Sequence, residues 1–301
     1  MNEHSFQAAD SDAHQRLDVF LTRQFGEAHS RTFIKKLIDH GHVTIGDHAV
    51  KANHKVLPGE TVCVVIPPEF LAPVTIAPEP IPLDILYEDK DILVLNKPSG
   101  LLVHPATGIY SGTLVNALLH HCGELSDYHE DILRPGIVHR LDQETSGVMV
   151  VAKNNQAHRN LAKQFQKHHV EKEYAALVEG EVAFDEGQID VPIGRDPIHR
   201  EKKKVSFEES AKEAFTRYKV LKRQPKCTLV ALFPRTGRTH QLRVHMKYLK
   251  HPILGDEKYG KKDSFPRLAL HARQITFTHP VTGEKMSFAA PVPAEFERVF
   301  K

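Results

Sequence analysis

Apolar positions near the N-terminus recur at helical spacing and predict two amphipathic helices. The second covers Ser30–Ile38, with Ser30 as the predicted N-cap and Gly41 as the stop signal. The first ends at Gly26, and its apolar positions are Leu17, Phe20, Leu21 and Phe25.

Short β-branched runs at Val43–Ile45 and Thr61–Ile66 predict strands of a small sheet. Residues 14–66 are therefore predicted to form a compact module of two helices packed on a sheet. The polar residues 1–13 before this module are expected to be a flexible, frayed terminus.

Proline interrupts the pattern after this module. A proline has no backbone N–H and fixes its own φ angle, so residues 67–82 are predicted to be an extended linker without helix or central strand. The prolines in question are Pro67, Pro68, Pro73, Pro78, Pro80 and Pro82.

Residues 83–301 are predicted to form a second, larger domain. Strands outnumber helices and follow one another as hairpins and meanders, so the fold class is α+β, with a mixed and mostly antiparallel sheet. The predicted strands or strand–helix joints are Ile85–Asp89, Ile92–Gly100, Lys172–Gly180, Thr216–Lys222, Cys227–Phe233 and Gln241–His245, and the predicted helices are Leu114–His120 and Asn155–His168.

One polar loop in this domain lies between two apolar runs. The run Gly136–Val138 enters it, the run Val148–Lys153 leaves it, and both are predicted to be buried strands. The loop carries His139, Arg140, Asp142 and Glu144. Rigid scaffolds commonly hold catalytic groups on such loops, so this is the candidate active-site segment.

Asp142 is the first candidate catalytic residue. A lone Asp in a loop is more often a cap or turn former. Here Arg140 lies two residues earlier, and the later segment Thr236–His245 adds Arg238 and Arg243. A carboxylate held near Arg stays ionised, which suits a nucleophile or an electrostatic stabiliser of a sugar cation and makes a poor general acid.

Charge is distributed unevenly, although the net charge is only +2. Residues 67–134 contain 3 Lys or Arg against 10 Asp or Glu, whereas residues 194–250 contain 16 against 5. Clustered cations favour a polyanionic partner on one face, and a solvated charged surface without a partner explains the counts about equally well.

Composition limits the other classes of function. No apolar run approaches membrane-spanning length, the N-terminus lacks the basic start of a signal peptide, and the cysteines Cys63, Cys122 and Cys227 are isolated and odd in number. We therefore expect a cytoplasmic protein without a membrane segment or a disulfide framework.

Three kinds of site are not expected. The 21 His residues lack the spacing of a metal site, and no Walker loop or dinucleotide-binding glycine pattern occurs, so neither a metal nor a nucleotide cofactor is predicted. A glycosidase pair of Asp142 and Glu144 is conceivable, but neighbours in one short loop rarely reach the spacing that such a pair requires.

The loop motif resembles the active-site motif of the RluA-type pseudouridine synthases. It consists of His139-Arg140-Leu141-Asp142 followed by the turn Thr145-Ser146-Gly147, and the resemblance extends from about Ile85 to Pro293. It implies an enzyme that isomerises uridine to pseudouridine in RNA without a cofactor. The chemistry fits, since it needs a carboxylate, a stacking aromatic residue and an enclosed pocket.

The resemblance also implies roles for individual residues. Asp142 matches the catalytic aspartate, Arg140 the arginine that replaces the flipped-out nucleotide, and Arg243 the arginine that pairs with the aspartate. Tyr174 matches the tyrosine that packs against the target base, and Leu270 the apolar floor of the uracil pocket. Arg238, in the same basic segment as Arg243, is expected to bind substrate. Taken singly, Tyr174 and Leu270 could be ordinary core residues and Arg243 an ordinary surface residue.

The N-terminal module resembles the S4 RNA-binding domain. The matching residues are Arg16-Leu17-Asp18, Ser30-Arg31, Leu37-Ile38, Gly41-His42-Val43 and Pro58-Gly59-Glu60. Arg31, Lys35 and Lys36 are expected on the exposed side of the second helix, where they can meet phosphates.

The S4-like module and Gly100–Pro105 are most similar to the branch of the family that acts on large-subunit ribosomal RNA, especially its D-type enzymes. The resemblance thus implies a ribosomal RNA substrate. The oligomeric state stays open, and a monomer is the default expectation. Two alternatives stay open: a synthase that acts on tRNA, and a non-catalytic RNA-binding factor of ribosome assembly.

Overall fold

The computed structural model describes residues 2–46, 48–71, 75–106, 108–128, 133–199, 201–261 and 264–300, without the side chains of residues 27, 32 and 69. Backbone contacts divide the chain into two compact units, Met1–Val74 and Thr75–Lys301. The division falls inside the proline-rich stretch, and each unit is described by itself.

In its described residues the first unit has three α-helices and a small sheet, and the two longer helices pack against that sheet. Its helices are α1 (Leu17–Phe25), α2 (Arg31–Asp39) and α3 (Pro68–Leu71), and its strands are β1 (Asn2–Gln7), β2 (Val43–Ile45), β3 (His48–Ala49) and β4 (Thr61–Ile66). Among the described residues the sheet has the order β1-β4-β2-β3. The Ser30 hydroxyl accepts a hydrogen bond from the Phe33 N–H and caps α2 as predicted.

The N-terminus differs from the sequence expectation of a flexible end. Residues 2–7 form β1, which pairs antiparallel with β4 from Asn2 opposite Ile66 to Gln7 opposite Thr61. The ring of Phe6 packs edge-on against Phe25 at a centroid distance of 5.0 Å. An edge strand needs only backbone pairing and a few apolar contacts, so its polar sequence carries little local signal.

The proline-rich stretch also differs from the expectation, because part of it is helical. Helix α3 covers Pro68–Leu71, and the Phe70 N–H donates to the Pro67 carbonyl at 2.9 Å. Proline is accepted in the first turn of a helix, where its missing N–H would have no intrahelical partner. The predicted absence of helix from the linker was therefore wrong at these four residues.

The second unit is a mixed α+β domain, as predicted. Within the described residues it contains a nine-stranded sheet of order β5-β6-β7-β14-β8-β13-β12-β9, with β15 added beside β14, and a two-stranded sheet of β10 and β11. Its strands are β5 (Ile85–Glu88), β6 (Ile92–Lys97), β7 (Ser146–Ala152), β8 (Glu171–Glu179), β9 (Glu186–Asp190), β10 (Ile193–Arg195), β11 (Lys203–Val205), β12 (Phe215–Gln224), β13 (Cys227–Pro234), β14 (Leu270–Thr278) and β15 (Lys285–Ala289). Its helices are α4 (Leu114–Cys122), α5 (Asn155–Gln166), α6 (Gln241–Tyr248) and α7 (Ala294–Arg298).

Strand β7 lies inside this sheet and is buried along its whole length. It pairs antiparallel with β6 and parallel with β14, and the other strand pairs described are antiparallel. Val148 and Val150 pack on one face of the sheet, whereas Met149 and Val151 pack on the other. A strand covered on both faces is continuously apolar, which explains why the sequence run after the polar loop was recognisable.

The apolar run before the polar loop is not a strand, contrary to the expectation. The backbone turns at Gly136, which has φ 71°, and Ile137 meets Val151 only through an isolated bridge. Ile137 is 9% exposed, so its apolar character reflects packing of a crossing segment and not membership of the sheet.

Segment Gln241–His245 was expected to be a strand or a strand–helix joint, and it is the first part of helix α6. Every residue from Gln241 to Met246 is buried. Because the helix is buried on all sides there, its sequence has no polar face that could reveal a 3.6-residue period.

Candidate active site

The polar loop begins at His139, whose ring anchors it to the sheet. The Val150 N–H donates to His139 Nε2 at 3.1 Å, and the ring stacks on Phe165 at a centroid distance of 4.6 Å. Burial, with a smaller contribution from the charge of Lys172, lowers the pKa of His139 to about 3. His139 is thus a neutral structural group that fixes the start of the loop.

Lys97 fixes the loop from the other side. Its side chain is completely buried, and its ammonium group donates to the carbonyls of Pro98 at 2.8 Å, Leu101 at 2.9 Å and Gln143 at 2.9 Å. Burial lowers the pKa of Lys97 to about 8. Since Gln143 follows Asp142 directly, this lysine determines where the backbone beside the candidate catalytic residue lies.

Asp142, 19% exposed in its side chain, accepts a hydrogen bond at Oδ2 from Arg243 Nη1 at 3.2 Å. Arg243 comes from α6 and is itself buried. Its other nitrogens bind the Asp256 carboxylate, from Nε at 2.8 Å and from Nη2 at 2.7 Å. Burial opposes the charge of Arg243, but the hydrogen bonds and charges of both carboxylates raise its pKa above the ordinary value.

Asp256 is the buried residue that orients Arg243. It is fully buried, and its Oδ1 also accepts the backbone N–H groups of Lys258 at 2.9 Å and Tyr259 at 3.0 Å. The Tyr259 ring lies against the Arg243 guanidinium, 5.2 Å from ring centroid to Cζ. One buried carboxylate therefore orients both the arginine that contacts Asp142 and the tyrosine that packs on that arginine.

Two cavities meet at Asp142. The first cavity, of about 520 Å³, is lined among others by Tyr174, Leu270, Arg238 and Lys172. The second cavity, of about 890 Å³, is lined among others by Arg243, Lys258 and Arg267. The walls of both cavities include Arg140, Asp142 and His240. A flexible polymer segment can therefore contact Asp142 from two sides.

The apolar part of the first cavity is built by adjacent strands. Tyr174 lies on β8 opposite Ala272 of β14, and Leu270 begins β14 opposite Ala176. Burial, and to a smaller degree the charge of Asp142, raises the pKa of the Tyr174 phenol, so this side chain is neutral. An aromatic ring and an aliphatic side chain in one pocket suit a flat, partly apolar group such as a nucleobase.

Two further arginines, Arg140 and Arg238, line the first cavity. Among the described residues, neither donates a hydrogen bond to the Asp142 carboxylate. Arg140 is exposed and donates from Nη1 to His104 Nε2 at 3.2 Å. The inner part of the side chain is nevertheless screened from solvent, and this partial burial lowers the pKa of Arg140 against the opposing charge of Asp142. Arg238 is held by the Glu213 carbonyl, which accepts from its Nε at 2.9 Å.

Five residues expected from the sequence to form the site therefore line the first cavity: Arg140, Asp142, Tyr174, Arg238 and Leu270. The sixth, Arg243, contacts Asp142 from the second cavity. Four further residues of the site, Lys97, Asp256, Tyr259 and His240, were not predicted from the sequence. Lys97 lies in the predicted strand Ile92–Gly100, and Asp256 lies within the stretch that the resemblance covers, but nothing in the local sequence indicates that they are buried.

The three cations expected to bind RNA all lie on the exposed side of α2. Arg31 Nη2 donates to Asp18 at 2.8 Å, and Lys35 forms an ion pair with Asp39. The Lys36 ammonium lies 4.9 Å from the centroid of the Phe70 ring. Arg31 and Lys35 therefore have acidic neighbours that a phosphate would have to replace.

Comparison with known proteins identifies the class of this chain. The sequence model of the RNA pseudouridylate synthase family matches residues 91–248, which include the polar loop and Arg243, and that of the S4 domain matches residues 15–62. The chain belongs to the RNA pseudouridylate synthase family. It is a pseudouridine synthase with an N-terminal S4 domain.

Individual relatives agree with this assignment. An uncharacterized RNA pseudouridine synthase of Bacillus subtilis is 44% identical over 100% of this chain and 98% of its own length. Ribosomal large subunit pseudouridine synthase D of Neisseria meningitidis serogroup B is 43% identical over 92% of this chain and 76% of its own length. Among solved structures, human RNA pseudouridylate synthase domain containing 1 covers 70% of this chain and 83% of its own, with 29% identity and a TM-score of 0.57.

Other polar clusters of this pseudouridine synthase lie outside the two cavities. Among the described residues, Glu88, His121 and Cys122 come together, as do Asp89, Asp91 and His279. Glu88 is paired with His121 at 2.7 Å and with Lys153 at 2.6 Å, and Asp89 is paired with His279 at 3.0 Å. These hydrogen bonds, together with the Glu88–Lys153 ion pair, account for the proximity of the side chains in both clusters. No helix within the described part of the chain combines the length and the apolar character needed to cross a membrane.

Proposed function

We propose that this pseudouridine synthase isomerises uridines of large-subunit ribosomal RNA, with Asp142 as the nucleophile and the target base flipped into the first cavity. The observation that carries the proposal is the place of Asp142 at the junction of two cavities, with Arg243 Nη1 at 3.2 Å from its carboxylate. A carboxylate that is hydrogen-bonded by a buried guanidinium has a defined direction of attack.

The reaction is an isomerisation: the uracil is detached from the ribose of one nucleotide and rejoined to the same ribose through a different atom. Asp142 attacks C1′ of the ribose, the C1′–N1 bond breaks, and uracil leaves with the bonding electron pair. The base turns within the cavity, and C5 forms a new bond to C1′ as the carboxylate leaves. The proton on C5 is then lost and N1 gains one, so neither a redox equivalent nor a co-substrate is consumed.

The first cavity supplies what the detached base requires. Tyr174 offers a ring face, Leu270 offers an apolar surface, and a cavity of about 520 Å³ leaves room for the base to turn. Extrusion of a base from its stack costs about a few kcal/mol. Arg140 is exposed and lines both cavities. In this proposal its side chain fills the space in the RNA that the extruded nucleotide leaves.

Large-subunit ribosomal RNA is the proposed substrate because relatives that span most of this chain carry that substrate in their names. The S4 domain, with Arg31, Lys35 and Lys36 exposed on α2, provides a second surface for phosphates. We further propose that the protein acts in the cytoplasm as a monomer. A tRNA substrate and a non-catalytic role in ribosome assembly are the alternatives that the experiment must separate.

The test is carbodiimide mapping of pseudouridine in ribosomal and transfer RNA from cells without this gene, complemented by wild type, Asp142→Asn or Glu144→Gln. Glu144 is the matched control, because it is exposed in the same loop. We expect stops in large-subunit RNA that wild type and Glu144→Gln restore and Asp142→Asn does not. Stops lost only from tRNA would overturn the substrate. Restoration by Asp142→Asn would overturn the nucleophile, and no loss anywhere, in cells without a redundant synthase, would favour the non-catalytic alternative.

A further inference from the structure

His240 combines an uncommon backbone conformation with a position at both cavities. It has φ 58° and ψ 17°, in the left-handed region, and it immediately precedes α6. For a residue other than glycine this conformation costs about 1–3 kcal/mol and persists only where surrounding contacts determine it. His240 lines the first and the second cavity, as does Asp142.

A chain of two hydrogen bonds determines which nitrogen of His240 carries the proton. The Lys203 N–H donates to the Tyr259 hydroxyl oxygen at 2.7 Å, and the same hydroxyl lies 2.8 Å from His240 Nδ1. Tyr259 is 6% exposed, so its O–H needs an acceptor, and His240 Nδ1 is the acceptor that the described residues offer. The Tyr259 O–H therefore donates to Nδ1, and the proton of His240 is on Nε2.

The ring is also kept neutral. Burial, the largest cause, lowers the pKa of His240 to about 4. The charged groups around it oppose one another: Asp142 and Asp256 favour the imidazolium, whereas Arg243 and Lys258 disfavour it. A neutral ring does not form an ion pair with Asp142, so Arg243 stays the charged partner of that carboxylate.

The Nε2–H group has no hydrogen-bond partner in the described part of the chain, and it belongs to a residue that lines both cavities. A neutral N–H donor suits a neutral acceptor, whereas phosphate oxygens are better served by the charged Arg and Lys side chains nearby. The strong neutral acceptors of uracil are its two carbonyl oxygens. An unpaired, fixed donor beside the attacking carboxylate is therefore placed to orient the base.

We propose that His240 is a substrate-contacting residue of the isomerisation, whose Nε2–H donates to a carbonyl oxygen of the target uracil, and that Tyr259 is the positioning residue that holds this tautomer. The proposal rests on the proposed function, since it assumes that the target base enters the first cavity. It adds a base-orienting donor to the proposed nucleophile.

Two substitutions of His240 separate the donor from the backbone conformation. Asparagine tolerates the left-handed region and can accept from Tyr259 in place of Nδ1, but it has no group at the position of Nε2. Glutamine reaches that position with an amide N–H. We expect His240→Asn to lower kcat/KM by about 10- to 100-fold. This range lies between the loss of an ordinary neutral hydrogen bond and the loss of an oxyanion-hole donor. We expect His240→Gln to recover part of the lost activity.

The substrate is varied in the same experiment. The probe is an RNA stem-loop that the wild type modifies, with uridine, 2-thiouridine or 4-thiouridine at the target position, since sulfur accepts hydrogen bonds more weakly than oxygen. We expect one thio substitution to slow the wild type and to have no further effect on His240→Asn, because both changes remove the same contact. Additive losses with both analogues, or a His240→Asn variant as active as wild type, would overturn the proposal.

The tautomer of His240 can be measured directly by 15N NMR of protein labelled at its histidines. A purely structural role of Tyr259 would leave this tautomer unchanged. We expect the wild type to show His240 as the Nε2–H tautomer and Tyr259→Phe, which keeps the ring against Arg243, to lose that preference together with activity. A wild-type Nδ1–H tautomer would overturn the proposal. If the wild type modifies no RNA, the proposed function fails; if it does and the His240 variants behave like wild type, only this inference fails.

Discussion

Arg243 donates to Asp142 at 3.2 Å across 101 residues of sequence, and it does so with the one arm of its guanidinium that Asp256 does not hold. The orientation of the Arg243 guanidinium is therefore determined by Asp256, whose carboxylate is itself buried. Asp142 faces an arginine whose position was determined before any substrate arrives. Such preorganisation is what electrostatic support of a reacting group requires.

The first prediction concerns Asp256→Asn. Removal of one charge from a buried, doubly hydrogen-bonded pair typically costs about 3–5 kcal/mol. We expect a free energy of unfolding lowered by that order and a kcat lowered more than KM is changed, because Arg243 loses its fixed orientation. Urea unfolding and steady-state kinetics below the unfolding transition measure both quantities.

A matched control for Asp256→Asn is Asp185→Asn. Asp185 also pairs with an arginine, Arg223, at 2.6 Å, but its side chain is 85% exposed. Exposed pairs contribute little, so this variant should retain stability and kcat. Equal effects of the two substitutions would contradict the role assigned to burial.

The second prediction concerns the pH dependence of stability through Lys97. Its pKa is about 8 in the folded protein, against an ordinary value of 10.5. Between these values the unfolded state binds more protons, so the contribution to stability is fully present above pH 10.5 and is lost as the pH falls through about 8. In full it is on the order of 3 kcal/mol.

The measurement compares wild type with Lys97→Met, which has no titrating group at this position. The difference in unfolding free energy should move in favour of wild type as the pH rises from 8 towards 10.5. Lys172, whose pKa is also about 8 because of burial, is present in both proteins and cancels. A difference that stays constant over this range would show that Lys97 is not titrating as described. Activity of Lys97→Met should fall as well, because Gln143 loses its anchor beside Asp142.

The third prediction concerns Gly147, the second residue of β7, directly after the polar loop. It has φ 117°, and a Cβ there would lie 2.2 Å from the Ala272 carbonyl oxygen on β14. Gly147→Ala should therefore force apart the parallel strands β7 and β14, at a cost of about 1–3 kcal/mol beyond the backbone strain. Gly283→Ala is the control, since Gly283 has φ 77° and open space around it. Thermal unfolding should place Gly147→Ala well below Gly283→Ala, and equal Tm values would refute the close approach.

The fourth prediction concerns the S4 domain. Lys35→Ala and Lys36→Ala should each weaken RNA binding and reduce the slope of log affinity against log salt by about 1, if each lysine neutralises one phosphate. Lys51→Ala, an exposed lysine of the same unit outside α2, is the control. Filter binding at several salt concentrations gives the slopes. Slopes that match the control would remove this face of α2 from the RNA-binding surface.

The sequence by itself determined the elements whose signal is local. The helices α1 and α2 follow from apolar spacing and from Ser30 as a cap, and β7 follows from an unbroken apolar run. The motif around Asp142 and the residues Arg140, Tyr174, Arg238, Arg243 and Leu270 were found from family motifs, and the structure brings them together. Caps, periods and motifs are properties of neighbouring residues, so no fold is needed to recognise them.

Only the tertiary structure decided the features that depend on distant partners. The polar β1 is a strand because β4 offers it a free edge. In α6 every residue from Gln241 to Met246 is buried, which hides the helical period of that segment. The burial of Lys97 and Asp256 and the bond from Tyr259 to His240 join residues that no spacing relates. Their charge states and orientations arise from desolvation and from hydrogen bonds formed on folding, and these exist only once the chain has folded.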